Sequence, residues 1–262
     1  MCVSISRFVI ERQIGRGQAA QVCVARDLLL GTTVALKLFL ATDRDDALDE
    51  VKVIDRIAQQ NAEFTPSYYG AHNFDNGMVG ICMSVVEGVT MGKAFITDEH
   101  KLAYSLYAAL TFLHEKGVAH RDINPTNVLV KPNGTACLVD FNWSTTKEDC
   151  TNTPATSVNY NSPEYLFYDM TSDLWRVTTM NDVWGATILL LSKFTGLRFP
   201  WMTGEREKVE RHWLTSTEAP HVQIMRIVCE SKHRRLHWLI SLTSTGAAPI
   251  QNRYTAALMK VV

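Results

Sequence analysis

The chain has 262 residues, 46% of them hydrophobic and 20% charged, with a formal net charge of -1. That length can bury a substantial core in one large or two small lobes, and the near-neutral charge excludes a general nucleic-acid or membrane-surface binder. Cys2, Cys23, Cys82, Cys137, Cys150 and Cys229 are scattered without a C-x-x-C pair, which suits reduced thiols in the cytoplasm or nucleus better than a zinc site or a disulfide framework. Arg7 interrupts the apolar N-terminal stretch, so no signal peptide is expected, and no apolar run approaches the ~18 residues needed to span a bilayer.

In chain order, Phe8-Val9-Ile10 leads into Gly15-Arg16-Gly17-Gln18-Ala19-Ala20-Gln21-Val22, and Val22 to Ala25 reads as a returning strand. Two glycines between strands permit a tight turn whose N–H groups can approach phosphates, although an ordinary hairpin fits the same pattern. Thr33 to Phe39 is a strand carrying Lys37, and a lysine inside an apolar strand is costly unless its ammonium meets an anion. Asp43 to Gln60 has helical spacing (Ala47, Val51, Ile54, Ala58), with Asp43, Asp45, Asp46 and Asp49 toward its N-terminal end. Glu50 lies beside the apolar stripe and is the expected partner of Lys37. Tyr68 to His72 and Val79 to Val86, separated by a turn at Asp75-Asn76-Gly77, complete a five-stranded antiparallel sheet with one helix. Glu87-Gly88-Val89-Thr90 reads as a linker.

A helix from Asp98 to Lys116 follows, closed by Gly117. In His120-Arg121-Asp122-Ile123-Asn124-Pro125-Thr126-Asn127, Pro125 lacks an N–H and biases Asn124 away from helix, so a loop is expected. Val128 to Val130 and Ala136 to Val139 form a hairpin leading to Asp140-Phe141. Asp122, Asn127 and Asp140 then converge as oxygen donors, a set that suits Mg²⁺ completed by water and phosphate. Asn142 to Asn161 is polar and without periodicity, and a loop that long inside a compact domain is usually functional. Ser162-Pro163-Glu164 closes it. An apolar helix is expected from Asn181 to Leu191, with Asp182 near its N-terminus. The remainder from Thr195 reads as helices and loops, with Lys232-His233-Arg234-Arg235 on a solvated face.

Taken together these stretches resemble a eukaryotic-type protein kinase catalytic domain, H-R-D-x-x-x-x-N followed by D-F-x. Val34-Ala35-Leu36-Lys37 is similar to V-A-I-K, Ser162-Pro163-Glu164 to A-P-E, and Asp182-Val183-Trp184-Gly185 to D-x-W-x-G; Arg253 falls where the family carries an arginine that pairs with the A-P-E glutamate, here Glu164. The resemblance implies a bilobal α+β fold in a single domain over 1–262, with an N-lobe 1–86, a hinge 84–90 and a mainly helical C-lobe 91–262. It implies transfer of the ATP γ-phosphoryl group to serine or threonine hydroxyls of protein substrates. Lys37, oriented by Glu50, would hold the α- and β-phosphates; Asn127 and Asp140 would hold Mg²⁺; Asp122 would orient the acceptor hydroxyl and take its proton. Ile14, Gly15, Gly17 and Val22 would cover the nucleotide. Adenine would lie between Val22, Ala35 and Leu129, bonded to backbone at Ser84 and Val86, with Met83 as gatekeeper. Ile54, Tyr69, His120 and Phe141 would form a stacked column anchored by Asp182.

Within the family the catalytic subunit of casein kinase 2 is the nearest suggestion, on Gly15-Arg16-Gly17, the short Lys37-to-Glu50 spacing and Ala155-Thr156-Ser157, although the acidic stretch from Asp43 to Glu50 does not support that enzyme's acid-seeking specificity. Three positions depart from the family. Ala20 replaces a third glycine. Asn142 replaces the glycine after Asp-Phe and is expected to take left-handed backbone angles. Asn124 replaces a lysine that neutralises the γ-phosphate. Arg121 is expected to meet a phosphate on Thr153, Thr156 or Ser157, placed by an upstream kinase. A nucleotide-binding scaffold without catalysis, or a small-molecule phosphotransferase, are the competing expectations. No nucleic-acid or membrane partner is expected, and a regulatory subunit is not evident.

Overall fold

The computed structural model describes residues 4–5, 7–17, 19–57, 63–151, 157–168, 170, 172–230 and 236. Gln18, Ala58, Thr153, Thr156, the basic run 232–235 and Arg253 lie outside the described residues.

The first part of the chain is a six-stranded antiparallel sheet of β1 (Ser4–Ile5), β2 (Phe8–Arg16), β3 (Ala20–Asp27), β4 (Thr32–Phe39), β5 (Tyr68–Asn73) and β6 (Val79–Ser84), in the order β1-β2-β3-β4-β6-β5. The five longer strands are those expected; the two-residue β1 adds an edge. Side chains alternate across a strand, so β4 serves two masters. Val34, Leu36 and Leu38 pack with Phe8, Ala25, Phe74 and Cys82 in a small outer cluster, whereas Phe39 joins the main core. Lys37 shares the inward parity with Ala35 and Phe39, and faces the rest of the molecule.

Helix α1 (Arg44–Ile57) packs on that inner face. It buries Ala47, Glu50, Val53, Ile54 and Ile57, while Val51 is only half-buried. The sequence reading also errs by one residue in β5. The ladder pairs Tyr68 with Met83 and Gly70 with Cys82, so Tyr69 is the extra residue of a bulge. Tyr69 is therefore 45% exposed, and Tyr68 packs against the main core in its place.

The expected linker is partly a strand. β7 (Val89–Thr90) pairs with β9 (Val128–Val130), which pairs with β10 (Ala136–Leu138). Between them run α2 (Glu99–Glu115) and the short β8 (Val118–Ala119). Asp98 caps α2 by accepting from the Lys101 N–H, and Gly117 leaves it at φ 68°. The long polar segment is not wholly irregular either: β11 (Thr145–Thr146) pairs with β8, and a single 3-10 turn covers Val158–Tyr160.

After α3 (Pro163–Leu166), capped by Ser162, comes the 22-residue α4 (Leu174–Thr195). It starts seven residues before the expected Asn181, because Asp173 supplies the cap, its side chain accepting from the Arg176 N–H. The first turn, Leu174 to Val177, is half-buried or exposed, and the helix becomes buried from Thr178. Asp182 is thus inside the helix, not near its start. Beyond α5 (Arg206–Thr215) and α6 (Pro220–Glu230), Trp184, Trp201 and Trp213 form an aromatic knot with Phe199 stacked on Trp201 at 4.9 Å. Among the described residues no helix is long and apolar enough to cross a membrane.

Candidate active site

Lys37, only 6% exposed, places Nζ 2.8 and 2.6 Å from the two Glu50 carboxylate oxygens and 2.7 Å from Asp140 Oδ1. Three residues from strand β4, helix α1 and the segment after β10 therefore meet at one ammonium. Burial would strip the Lys37 proton, but the Glu50 and Asp140 carboxylates overcome it and hold its pKa above the ordinary lysine value. Asp140 is opposed by burial too, yet the Lys37 charge keeps its carboxyl below the usual range. Glu50 behaves differently. Burial is the larger influence there and lifts its pKa, with Asp140 adding to the rise and Lys37 opposing it. One cation thus serves two carboxylates, and the Asp140 side chain, 44% exposed, keeps an open face for a further positive charge.

The catalytic-loop residues are set by Asp182. Its Oδ1 accepts from the Arg121 N–H at 2.7 Å and its Oδ2 from the His120 N–H at 2.8 Å, with His114 Nε2 at 2.9 Å. This is why a buried acid sits in mid-helix: it satisfies two backbone donors of a buried loop. Arg121 can then take its left-handed φ of 66°. Asn127 Nδ2 donates to Asp122 Oδ2 at 2.7 Å and to the Asp122 carbonyl at 3.0 Å, and the Val139 N–H donates to the Asn127 carbonyl at 3.0 Å. The loop and the strand leading to Asp140 are one hydrogen-bonded unit. Asp122 Oδ1 is buried without a hydrogen-bond partner, a carboxylate oxygen left unpaired.

Phe141 is buried and stacks beside His120, ring centroids 5.2 Å apart, while its N–H donates to Glu50 Oε1 at 3.3 Å. Ile54 is buried with them. Phe141 thereby locks α1 to the loop that carries Asp140.

A cavity of about 330 Å³ opens under the β2–β3 turn, between Gly17, Ala20, Val22, Lys37, Asp140 and Asn142. The turn is closed by the Gly17 N–H donating to the Ala20 carbonyl at 2.8 Å. Asp43, Asp46 and Trp143 also line this space. The sequence reading has Asp43 and Asp46 only as acids at the start of a helix and does not single out Trp143, and Lys37 is the cavity's only cationic wall among the described residues. Ala35 stands opposite Met83 in the sheet, and Leu129 opposite Cys137 and Thr90. Those positions, with Ser84 and Val86, lie outside the cavity walls, and Ile14 is exposed beside the bulge after Gln13. The Ser84 N–H is committed to the Ser67 carbonyl at 2.8 Å.

One expectation about the departures is corrected. Left-handed φ among described non-glycine residues belongs to Arg121 and Asp140, both at 66°, and not to Asn142. The Asn142 N–H instead supports the Asp140 carboxylate, and its Oδ1 is buried without a partner. Arg121 is buried, and its Nε donates to the Tyr165 hydroxyl at 3.1 Å. Ser157, offered as its phosphorylated partner, has its Oγ bonded to Asn124 Nδ2 at 3.0 Å.

Hard oxygen donors fit a divalent cation, and Asp140 with its open face, Asn127 beside it in the bonded unit, and the partnerless Asn142 Oδ1 are all of that kind. No group of three or more His, Cys, Asp or Glu among the described residues could hold a metal alone. A cation here would draw much of its shell from water and a bound phosphate.

Comparison with known families matches residues 8–245 to the protein kinase domain. Protein kinase wis1 of Schizosaccharomyces pombe is 28% identical over 204 residues, covering 74% of this chain and 34% of the relative. CTD kinase subunit alpha of the same yeast is 25% identical, covering 93% of this chain and 44% of the relative. The probable serine/threonine-protein kinase PknB of Lactococcus lactis is 30% identical, covering 72% and 32%. The chain thus spans a third to about half the length of these relatives. With the matched stretch taking in the Lys37–Glu50–Asp140 cluster and the loop from His120 to Asn127, the chain belongs to the protein kinase domain family.

Proposed function

We propose that the protein transfers the γ-phosphoryl group of MgATP to serine or threonine hydroxyls of protein substrates. The observation that carries this reading is the Lys37 ammonium held within 2.6–2.8 Å of both Glu50 and Asp140. A buried Lys37–Glu50 pair is costly to hold unless it serves an anionic ligand, and the half-exposed Asp140 beside it supports a nucleotide with its metal.

Lys37, fixed by Glu50, binds and orients the α- and β-phosphates. Asp140 and Asn127 would hold Mg²⁺, which when bound supplies neutralisation of phosphate charge. Asp122, pinned through Oδ2 by Asn127, keeps Oδ1 unpaired to receive the proton of the acceptor hydroxyl as that oxygen bonds the γ-phosphorus and the bond to ADP breaks. Positioning and electrostatics carry most of the acceleration, with general-base help worth about 10²–10⁴-fold. Ile14, Gly15, Gly17 and Val22 cover the nucleotide, and Ala35, Leu129, Met83, Ser84 and Val86 form the adenine end. The division into a small lobe to residue 86, a hinge at 84–90 and a larger lobe after it follows the same reading.

Serine/threonine specificity rests on the relatives' names, and protein substrates on the family. The finer likeness to casein kinase 2 rests on short sequence similarities alone, and Asp43 and Asp46 on the cavity wall oppose an acid-seeking site. Radiolabelled ATP with casein, comparing wild type with Asp122→Asn, tests the reading. Label in protein for wild type and a loss of at least a hundredfold in the variant are expected. ATP binding with no transfer by either protein would favour the scaffold, for which Asn142 and Asn124 are the motivating departures.

A further inference from the structure

Asn124 occupies the position at which the resemblance leads one to expect a phosphate-binding lysine, and its carboxamide is fully engaged elsewhere. Oδ1 accepts from the Thr126 N–H at 2.8 Å, the Thr126 hydroxyl at 2.6 Å and the Asn127 N–H at 3.2 Å. Nδ2 donates to the Asp122 carbonyl at 3.3 Å and to Ser157 Oγ at 3.0 Å. An asparagine side chain has two donor hydrogens and two acceptor lone pairs, so both donors and both lone pairs are spent. The residue is 8% exposed. Nothing remains on it to greet a phosphate.

What these bonds hold is specific. Through Asp122 and Asn127 they fix the backbone on either side of the loop that presents the proposed base and a proposed metal ligand. Asn124 folds the chain between them into an Asx turn. Through Ser157 they tie that loop to the segment before the 3-10 turn at Val158–Tyr160, some thirty residues later in the chain.

We propose that Asn124 is a positioning residue that sets Asp122 and Asn127 and latches them through Ser157 to the end of the long polar segment, in exchange for the phosphate contact a lysine would make. This rests on the kinase reading above and adds a consequence: removing the Ser157 hydroxyl loosens the latch and lowers turnover while the turn made by Asn124 persists. Charge on the transferring phosphoryl group is then left to Lys37 and the metal.

The test compares wild type, Asn124→Ala, Asn124→Lys, Ser157→Ala and the Asn124→Ala/Ser157→Ala double variant. Each is assayed by steady-state phosphorylation of casein and, without nucleotide, by amide hydrogen exchange. Both Asn124 variants should lose at least tenfold in kcat while KM for ATP stays within twofold. Ser157→Ala should lose about threefold or more, and the double variant should be no slower than Asn124→Ala alone. Exchange at Thr126 and Asn127 should accelerate at least tenfold in Asn124→Ala and remain at the wild-type rate in Ser157→Ala, with α4 protected throughout as the mark of a folded chain. An Asn124→Lys variant that gains kcat or binds ATP more tightly would overturn the proposal, as would multiplicative losses in the double variant or unchanged exchange. A wild type that transfers no phosphate would refute the kinase reading instead, and the exchange data would still decide the positioning role.

Discussion

Replacing Lys37 with methionine removes the one cation shared by two carboxylates while keeping the stem's volume. Glu50 is left buried, 2% exposed and facing Asp140 with no counter-charge. Breaking a buried pair by deleting one partner costs about 3–5 kcal/mol. For a chain of this size 1 kcal/mol moves Tm by about 2–4 °C, so a fall of roughly 6–20 °C is expected. Glu50 can escape part of the cost by taking a proton, since burial already favours its neutral form. A carboxyl whose pKa is raised by folding adds stability as pH falls through the folded value, so the deficit should shrink on acidification. The decisive comparison is Lys37→Met/Glu50→Leu, where an apolar pair of similar volume replaces the ions. Stability should return to within about 2 kcal/mol of wild type, because such swaps are often neutral. Phosphoryl transfer should stay at least a hundredfold down, because no ammonium remains for the phosphates. Thermal denaturation by circular dichroism and radiolabelled transfer to casein read the two quantities separately. A single variant melting within 2 °C of wild type, or a double variant that transfers phosphate, would refute the reasoning.

Gly185 lies where α4 presses on the catalytic loop: a Cβ there would meet the Tyr160 carbonyl oxygen at 3.2 Å and Ile123 Cβ at 3.3 Å. Gly185→Ala regains about 1 kcal/mol of helix propensity and loses about 1–3 to crowding, so Tm should fall by no more than about 8 °C while kcat falls about tenfold as Ile123 displaces Asp122; equal kcat would remove the claimed contact. Burial pushes the thiols of Cys82 and Cys137 up to about 11 from an ordinary value of 9.0. The folded state then holds protons that the unfolded chain releases, so stability should fall as pH rises from about 9 to 11, and guanidinium midpoints across that window measure it. At pH 8 an alkylating agent followed by mass spectrometry should label Cys150, the half-buried thiol, well before Cys23, Cys82 or Cys137.

How much of this was legible depends on the length scale of the signal. The Lys37–Glu50 pair could be read because each residue violates its local pattern, a charge on an inward-facing position, and such a violation demands a partner. The hairpin β9–β10 is equally local. Tyr69 shows the limit: a bulge shifts parity by one, and only the ladder with β6 reveals that Tyr68 points inward. The start of α4 was hidden for a related reason. Periodicity reports the buried face, and the first turn and a half has little of it, so the helix seemed to begin where burial begins.

Asn124 and Asn142 are the sharper case. Against a family pattern both register only as losses, a missing lysine and a missing glycine, and each loss invited a guess about what the substitute fails to do. The folded chain gives them opposite characters. Asn124 is saturated with hydrogen bonds and works inward on the loop, while Asn142 leaves a buried oxygen unsatisfied on the wall of the cavity beneath the β2–β3 turn. A buried acceptor without a partner costs about 1–3 kcal/mol, whereas a saturated amide costs nothing comparable. The two asparagines therefore differ in kind: Asn124 spends its carboxamide on the loop that carries it, whereas Asn142 Oδ1 stands ready to be satisfied by water or by a group bound in the cavity.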